Sequence, residues 1–321
     1  MTGESSRNAL TGCLGMFPGQ GSQRPGMAQY LLDEYPVARD LFDRADDVLG
    51  IPLSRICTDG DRSQLAATEV AQPAITATSL AVWQILRDAG YQPGAVAGHS
   101  LGEYPALVAA GVLSYESALV LVQLRGQLMA EAAAQVPGAM AAVMGIPADD
   151  VGAACQAASV VGVVEVANWN EPLQTVLSGE TDAVDEAGRV ALAAGAERVV
   201  RLDVSAPFHC SLMSDVQEEF TAELALHAFA DPRLPLISSV TGDYVHSGEQ
   251  ARELLSLQIT RPVRWVEVLR RAAEHPVTAF TEIGPGRVLS GLARRTLTEA
   301  STRSTGDPRR LTALHSALQP A

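Results

Sequence analysis

Residues 139–202 carry the pattern that most restricts the fold. A-M-A-A-V-M (139–144) reads as a strand, 148–157 as a helix, V-G-V-V-E-V-A (161–167) and T-V-L-S (175–178) as strands joined by the loop N-W-N-E-P (168–172), 181–194 as a helix and R-V-V-R-L (198–202) as a strand. The order β-α-β-β-α-β is the ferredoxin-like plan. Strand and helix patterns alternate on either side of it, so a small unit interrupts a larger α/β one. The larger pattern begins with the strand C-L-G-M-F (13–17) and the loop P-G-Q-G-S-Q-R-P-G (18–26), followed by helices, the clearest at 74–89. The strand A-V-A (95–97), a tight turn and a helix from about 101 come next, and Ser114 is placed to cap the helix after that. Beyond 203 the spacing predicts a helix over 210–229, a strand near 235–238, helices near 249–257 and 265–273, and a strand at 278–283. The expected division is a discontinuous large domain (13–134 and 204–300), a small ferredoxin-like domain (135–203) and polar tails at 1–12 and 301–321.

A chain of 321 residues suffices for one large core or two modest ones. Its net charge of −14 argues against nucleic acid or an anionic membrane as the main partner. All 23 basic residues are arginine, which removes lysine-based Schiff-base and Walker-type chemistry. The charge is uneven: residues 261–310 hold ten arginines against five acids. Such a segment is either a solvated surface or a docking face for an acidic partner. Four scattered cysteines, no signal peptide and no apolar run of membrane-spanning length point to the cytoplasm.

The sharpest motif is Gly98-His99-Ser100-Leu101-Gly102, a G-x-S-x-G pentapeptide between a strand and a helix. Its glycines permit a cramped turn that exposes the Ser100 hydroxyl, with helix N-terminal N–H groups available to an oxyanion. The bland alternative is a turn that happens to contain serine. A serine nucleophile needs a base. Of six histidines, His99 adjoins Ser100 and reads as structural, His227 falls in the 210–229 helix, and His246, His275 and His315 lie in polar loops or near the tail. His209, where the chain returns from the small unit, is the remaining candidate, with a helix-start histidine as its alternative. Neither Asp203 nor Asp215 is well placed to orient it, so a backbone or amide carbonyl is the other possibility. G-Q-G-S-Q (19–23) lacks the dinucleotide and Walker patterns and is either part of an oxyanion hole beside Ser100 or a structural turn.

Arg125 is the only charge between Glu116 and Glu131. A buried guanidinium needs an anionic partner, and none stands three or four positions away. The partner is a distant carboxylate of the chain or a group that arrives from outside.

Taken together, F-P-G-Q-G-S-Q (17–23), G-H-S-L-G-E (98–103), the Arg125 helix, A-N-W-N-E-P-L-Q (167–174), S-A-P-F-H (205–209), Q-I-T-R-P-V-R-W (258–265) and E-I-G-P-G (282–286) resemble malonyl-CoA:acyl carrier protein transacylases and the acyltransferase domains of polyketide synthases. The resemblance implies an α/β-hydrolase-like large domain with an inserted ferredoxin-like domain. It implies Ser100 as nucleophile, His209 as general base, Gln258 orienting that histidine through its backbone carbonyl, and N–H groups of Gln20 and Leu101 as the oxyanion hole. Arg125 then pairs with the free carboxylate of a malonyl group, and Asn168 is a further polar residue of the site. Phe208 before His209 goes with malonyl over methylmalonyl, as does Leu101. The implied reaction is ping-pong transfer from malonyl-CoA, a substrate and not a bound cofactor, to the phosphopantetheine thiol of an acidic acyl carrier protein, with 261–310 as candidate docking face. No metal is implied. The rivals are a proofreading thioester hydrolase acting on carrier proteins, a transferase for another extender or starter unit, and an idle docking protein.

Overall fold

The structure, a computed structural model, describes residues 12–135, 137–204, 206–274, 277 and 279–319. Ser205, His275 and the ends of both expected tails lie outside them. Among the described residues the strands are β1 (Cys13–Phe17), β2 (Ala95–Gly98), β3 (Ala139–Met144), β4 (Val164–Glu171), β5 (Gln174–Gly179), β6 (Arg198–Arg201), β7 (Leu236–Ile237), β8 (Tyr244–Val245), β9 (Ala279–Glu282) and β10 (Ser301–Ser304). The α-helices are α1 (Gln29–Glu34), α2 (Pro36–Leu49), α3 (Leu53–Asp59), α4 (Arg62–Ala66), α5 (Thr68–Asp88), α6 (Glu103–Ala109), α7 (Tyr115–Gln135), α8 (Ala148–Ala158), α9 (Thr181–Ala193), α10 (Ser214–Leu224), α11 (Gly248–Leu257), α12 (Trp265–Ala273), α13 (Val288–Thr296) and α14 (Pro308–Leu318).

The strands form two sheets. The larger has the order β10-β9-β1-β2-β7-β8 and is parallel except for the β7–β8 pair. β1 and β2 are buried throughout, as central parallel strands with helices on both faces must be. Period-2 alternation divides their side chains. Leu14, Met16, Ala95 and Ala97 pack with Trp265, Leu269 and Leu292, whereas Cys13, Phe17 and Val96 join the core built on α5 and α7. The smaller sheet is antiparallel, in the order β4-β5-β3-β6. Ala139, Ala141 and Val143 face a core shared with α8 and α9, whereas Met140 and Ala142 belong to the large core. β4 also pairs with the larger unit: Val263 N–H donates to Ala167 and Trp169 N–H donates to Val263.

Several expectations change. β4 runs through Asn168, Trp169 and Asn170, so the expected loop at 168–172 shrinks to its last residue and Leu173. The bonds to Val263 hold this polar stretch extended, across two register shifts in its pairing with β5. Helix 210–229 is a single 3-10 turn, Ser211–Met213, followed by α10, and His227 lies beyond its end. Residues 301–318 are no tail. β10 extends the large sheet beside β9, and α14 buries Leu311 and Leu314, with His315 edge-on to Tyr35. Ser114 caps α7 by accepting from Ser117 N–H at 3.0 Å. Among the described residues no helix is long and apolar enough to cross a membrane.

Candidate active site

Ser100 follows the C-terminal end of β2, where a 3-10 turn (Ser100–Gly102) leads into α6. The turn is tight because Gly98 and Gly102 leave no room for a side chain. A Cβ on Gly98 would lie 1.9 Å from the Gly102 carbonyl, and one on Gly102 would lie 2.0 Å from the Phe17 carbonyl oxygen. Ser100 has φ of 51° and His209 of 61°, the only positive values among the described non-glycine residues. This left-handed conformation costs an L-residue roughly 1–2 kcal/mol, and such strain concentrates at functional sites.

The two strained residues meet. Ser100 Oγ lies 2.8 Å from His209 Nε2, and His209 Nδ1 lies 2.8 Å from the Gln258 backbone carbonyl oxygen. A carbonyl only accepts, so Nδ1 carries the proton, Nε2 is bare, and the Ser100 hydroxyl donates to it. The orienting group is therefore a carbonyl, and Asp203 and Asp215 are both exposed at the surface. Burial, reinforced by the positive charge of Arg125, pulls the His209 pKa down to about 3 against the opposing pull of the Gln258 carbonyl. The imidazole is neutral at physiological pH.

Arg125, on α7, is 1% exposed. Its Nη1 donates to Gln72 Oε1 at 2.9 Å, and its Nη2 to Ser100 Oγ at 3.1 Å and Gln258 Oε1 at 3.3 Å. The guanidinium lies 5.8 Å from the Tyr104 ring centroid, and its Nε has no hydrogen-bond partner among the described residues. Every acceptor it meets is neutral. Among the described residues no carboxylate reaches it within 4.0 Å. Burial lowers its pKa, while Tyr104 and Glu103 act in the other direction. A cation held this way beside a serine hydroxyl has capacity for an incoming anion.

The remaining candidates surround this group unevenly. The Gln20 loop lies against the strand end: His99 N–H donates to Phe17, and a Cβ on Gly19 would meet the His99 carbonyl at 2.5 Å. Gln20 itself donates from Nε2 to Thr68 at 3.4 Å, and Leu101 is buried in the turn. Phe208 is buried in the large core next to His209. Asn168 is buried on β4, but the residue that meets the motif is Asn170, whose Oδ1 is 2.8 Å from His99 Nε2. His99 packs edge-on against Trp265, and burial lowers its pKa. Its side chain has the structural surroundings expected of it.

Gln72, Glu103 and Asn170 were not singled out from sequence. Glu103 did leave a signal, as the only acid between Asp88 and Glu116. Gln72 and Asn170 left none, because a glutamine in a helix and an asparagine in a polar stretch are unremarked by pattern. A cavity of about 600 Å³ beside Arg233, Tyr244 and His246 and another of about 570 Å³ beside Trp169, Arg264 and Arg270 both lie away from Ser100. The first borders Gly94 and Ala95, at the opposite end of β2 from the serine. Among the described residues no cluster of His, Cys, Asp and Glu could hold a metal ion.

Residues 16–311 match the acyl transferase domain family. The chain is 40% identical over 294 residues to the malonyl CoA-acyl carrier protein transacylase of Bacillus subtilis strain 168, covering 91% of this chain and 93% of that one. It is 37% identical to the protein of the same name from Escherichia coli K12, covering 91% and 95%. Among solved structures, it matches a type II polyketide synthase malonyl-transacylase in complex with its acyl-carrier protein at 38% identity and a TM-score of 0.92, covering 95% of this chain and 99% of that one. The transacylase from Streptococcus pneumoniae matches at 41% identity and a TM-score of 0.91, with the same coverage.

Proposed function

The chain belongs to the acyl transferase domain family, and from that premise we propose that it transfers a malonyl group from malonyl-CoA to the phosphopantetheine thiol of an acyl carrier protein. One observation carries this reading. A buried arginine with only neutral partners stands 3.1 Å from a serine hydroxyl that a neutral histidine holds at 2.8 Å. That spacing suits an acyl group bearing a second, free carboxylate. A planar guanidinium grips such a carboxylate with parallel hydrogen bonds and fixes the acyl group's direction.

In the proposed first half-reaction, His209 Nε2 takes the Ser100 proton while Oγ attacks the thioester carbonyl carbon. The carbonyl oxygen becomes an oxyanion, held by N–H groups of Gln20 and Leu101, each such donor being worth about 3 kcal/mol. The carbon–sulfur bond then breaks, the His209 proton passes to the CoA sulfur, and malonyl-Ser100 remains. In the second half, His209 takes the proton of the carrier thiol and the sulfur attacks the ester. The carbon–oxygen bond breaks and the proton returns to Ser100. Malonyl-CoA enters as substrate, and no resident cofactor is proposed. Phe208 favours an unsubstituted malonyl α-carbon, and Asn168 remains a candidate polar residue of the site.

The domain reading is an α/β-hydrolase-like unit of 13–134 and 204–300, extended to 318 by β10 and α14, carrying a ferredoxin-like insert of 135–203. The insert's strand order, β4-β5-β3-β6, supports it. A cytoplasmic location fits four buried free thiols. We retain the arginine-rich 261–310 segment as the proposed docking face for an acidic carrier. Arg264, Arg271 and Arg295 are engaged with Glu267, with Asp243 and Glu274, and with Glu171, so they are less available. Arg270 and Arg287 are exposed. Reversing them together should raise the carrier KM and leave CoA kinetics unchanged, and an unchanged carrier KM removes this face.

The test of the reaction itself is intact-protein mass spectrometry. Brief incubation with malonyl-CoA should add one malonyl group, absent in Ser100→Ala, and a phosphopantetheinylated carrier should discharge it with malonyl appearing on the carrier. Discharge to free malonate instead would make the protein a hydrolase.

A further inference from the structure

Glu103 opens α6 and is 2% exposed, which is unusual for a first-turn acid. An acid there is favourable for the helix dipole, but that benefit needs no burial. Its Oε2 accepts three hydrogen bonds: from Ser239 Oγ at 2.5 Å, from Gln258 Nε2 at 2.8 Å and from Ser239 N–H at 3.3 Å. Among the described residues it has no salt bridge. Arg125 acts on it electrostatically from the far side of the Gln258 carboxamide.

The carboxamide of Gln258 is the joint between them. Its Nε2 end faces two groups that only accept, the Glu103 carboxylate and the Ser100 backbone carbonyl at 3.2 Å. Its Oε1 end faces Arg125, which only donates. Turned over, the amide would set donor against donor at Arg125 and oxygen against a carboxylate at Glu103. Of the two acceptors, the Glu103 oxygen is the closer, at 2.8 Å against 3.2 Å, so the reach of this side chain sets the stronger hold on Nε2. Glu103 therefore anchors the Nε2 end of the amide, as Arg125 meets its Oε1 end. The same residue supplies the carbonyl beneath His209, so the tether also bears on the imidazole.

We propose that Glu103 is a positioning residue for acyl selection: its carboxylate sets the Gln258 carboxamide so that Oε1 faces Arg125, and so holds the guanidinium in the pose that receives a carboxylate-bearing acyl group. This rests on the malonyl-transfer reading. Nη1 of Arg125 is fixed by Gln72, and Nη2 by Gln258, acting on behalf of Glu103, and by the hydroxyl of Ser100, the atom that is acylated. Losing the Gln258 hold lets the fork swing off the line on which a malonyl carboxylate arrives. An acetyl group, which never uses the fork, is indifferent to that.

Three substitutions separate reach from charge. Glu103→Gln keeps an acceptor oxygen in place of Oε2 and removes the charge. Glu103→Asp keeps the charge and withdraws the oxygen by one methylene. Gln258→Met deletes the carboxamide and leaves the backbone carbonyl. The measurement is the malonyl-to-acetyl ratio of Ser100 adducts formed from equimolar malonyl-CoA and acetyl-CoA, with thermal melts as the check on folding. Glu103→Gln should hold the ratio within about threefold of wild type, whereas Glu103→Asp should lower it about tenfold or more, as small misplacements of positioning groups do. In the Gln258→Met background, itself low in the ratio, Glu103→Asp should have no further effect.

Equal losses of malonyl and acetyl loading would make Glu103 merely structural and overturn the proposal. So would a ratio kept by Asp and lost by Gln, or a full Asp effect in the Gln258→Met background. If the Asp variant does not fold, Gln258→Met carries the test alone, and an unchanged ratio in it overturns the proposal. A wild-type protein that takes no malonyl defeats the function and this inference together. A wild type that takes malonyl with a flat ratio across variants defeats the inference only.

Discussion

A histidine that takes a proton from serine works only while its Nε2 is bare. Burial and the Arg125 charge keep His209 unprotonated down to about pH 3. Replacing Arg125 by glutamine removes a cation that disfavours the imidazolium, so the His209 pKa should rise and the acid limb of acylation should move to higher pH. Stopped-flow acylation from below pH 3 up to pH 8 checks this, and an acid limb in the same place contradicts it. The same shift bears on stability. In the unfolded chain His209 binds a proton near its ordinary pKa of about 6.5, and in the folded chain only near 3. Between those values the unfolded state holds more protons, so stability is intact above about pH 6.5 and declines as pH falls toward 3. His209→Gln should lessen that decline in urea titrations across this range. Much of the site was legible residue by residue. Ser100 announces itself by its strand–turn–helix setting, and Arg125 by its isolation among apolar neighbours. The neutrality of its protein partners was not legible, because Gln72 and Gln258 come from chain positions far from Arg125 and meet it only through packing.

The element that sets the chemistry is the β2–α6 turn, and its limits are steric. Gly98→Ala would press a methyl group onto the Gly102 carbonyl, and Gly102→Ala onto the Phe17 carbonyl. Backbone cannot give way as a side-chain end can, so each should cost at least the roughly 1–3 kcal/mol of an overpacked core. Thermal melts should drop for both variants, and an unchanged melting temperature would mean that the turn is roomier than described. Periodicity located β1, β3 and α12 to the residue and β2, β5, β6, β7, β9, α8, α9 and α11 within one or two. It failed where neighbours override local preference. β4 stays extended through Asn168 and Asn170 because Val263 pairs with it, and α5 starts at Thr68 and runs through Pro73. No window of local sequence contains Val263's contribution.

Across the whole molecule, the site gathers at the C-terminal ends of the parallel strands, where an open α/β sheet presents its crevice. β1 leads to the Gln20 loop and β2 to Ser100, while α7 sends in Arg125, the return from the small sheet brings His209, and the end of α11 supplies Gln258. Chain ends matter to this frame. Residues past 300 look like a tail because they are polar and short of long apolar runs. Yet α14 docks through Leu311 and Leu314, at 1% and 8% exposure, with the partly buried Leu318 packed against the same core. Leu311→Ala should cost about 2–5 kcal/mol in urea unfolding. A loss below half a kcal/mol would restore the tail reading.

On the malonyl-transfer reading, Arg125 receives the acyl carboxylate. The most direct test is competition labelling with malonyl-CoA, methylmalonyl-CoA and acetyl-CoA together, read by intact mass on wild type and Arg125→Ala. A malonyl adduct is expected on wild type and an acetyl adduct in its place on Arg125→Ala. An Arg125→Ala protein that still selects malonyl from the mixture would contradict it.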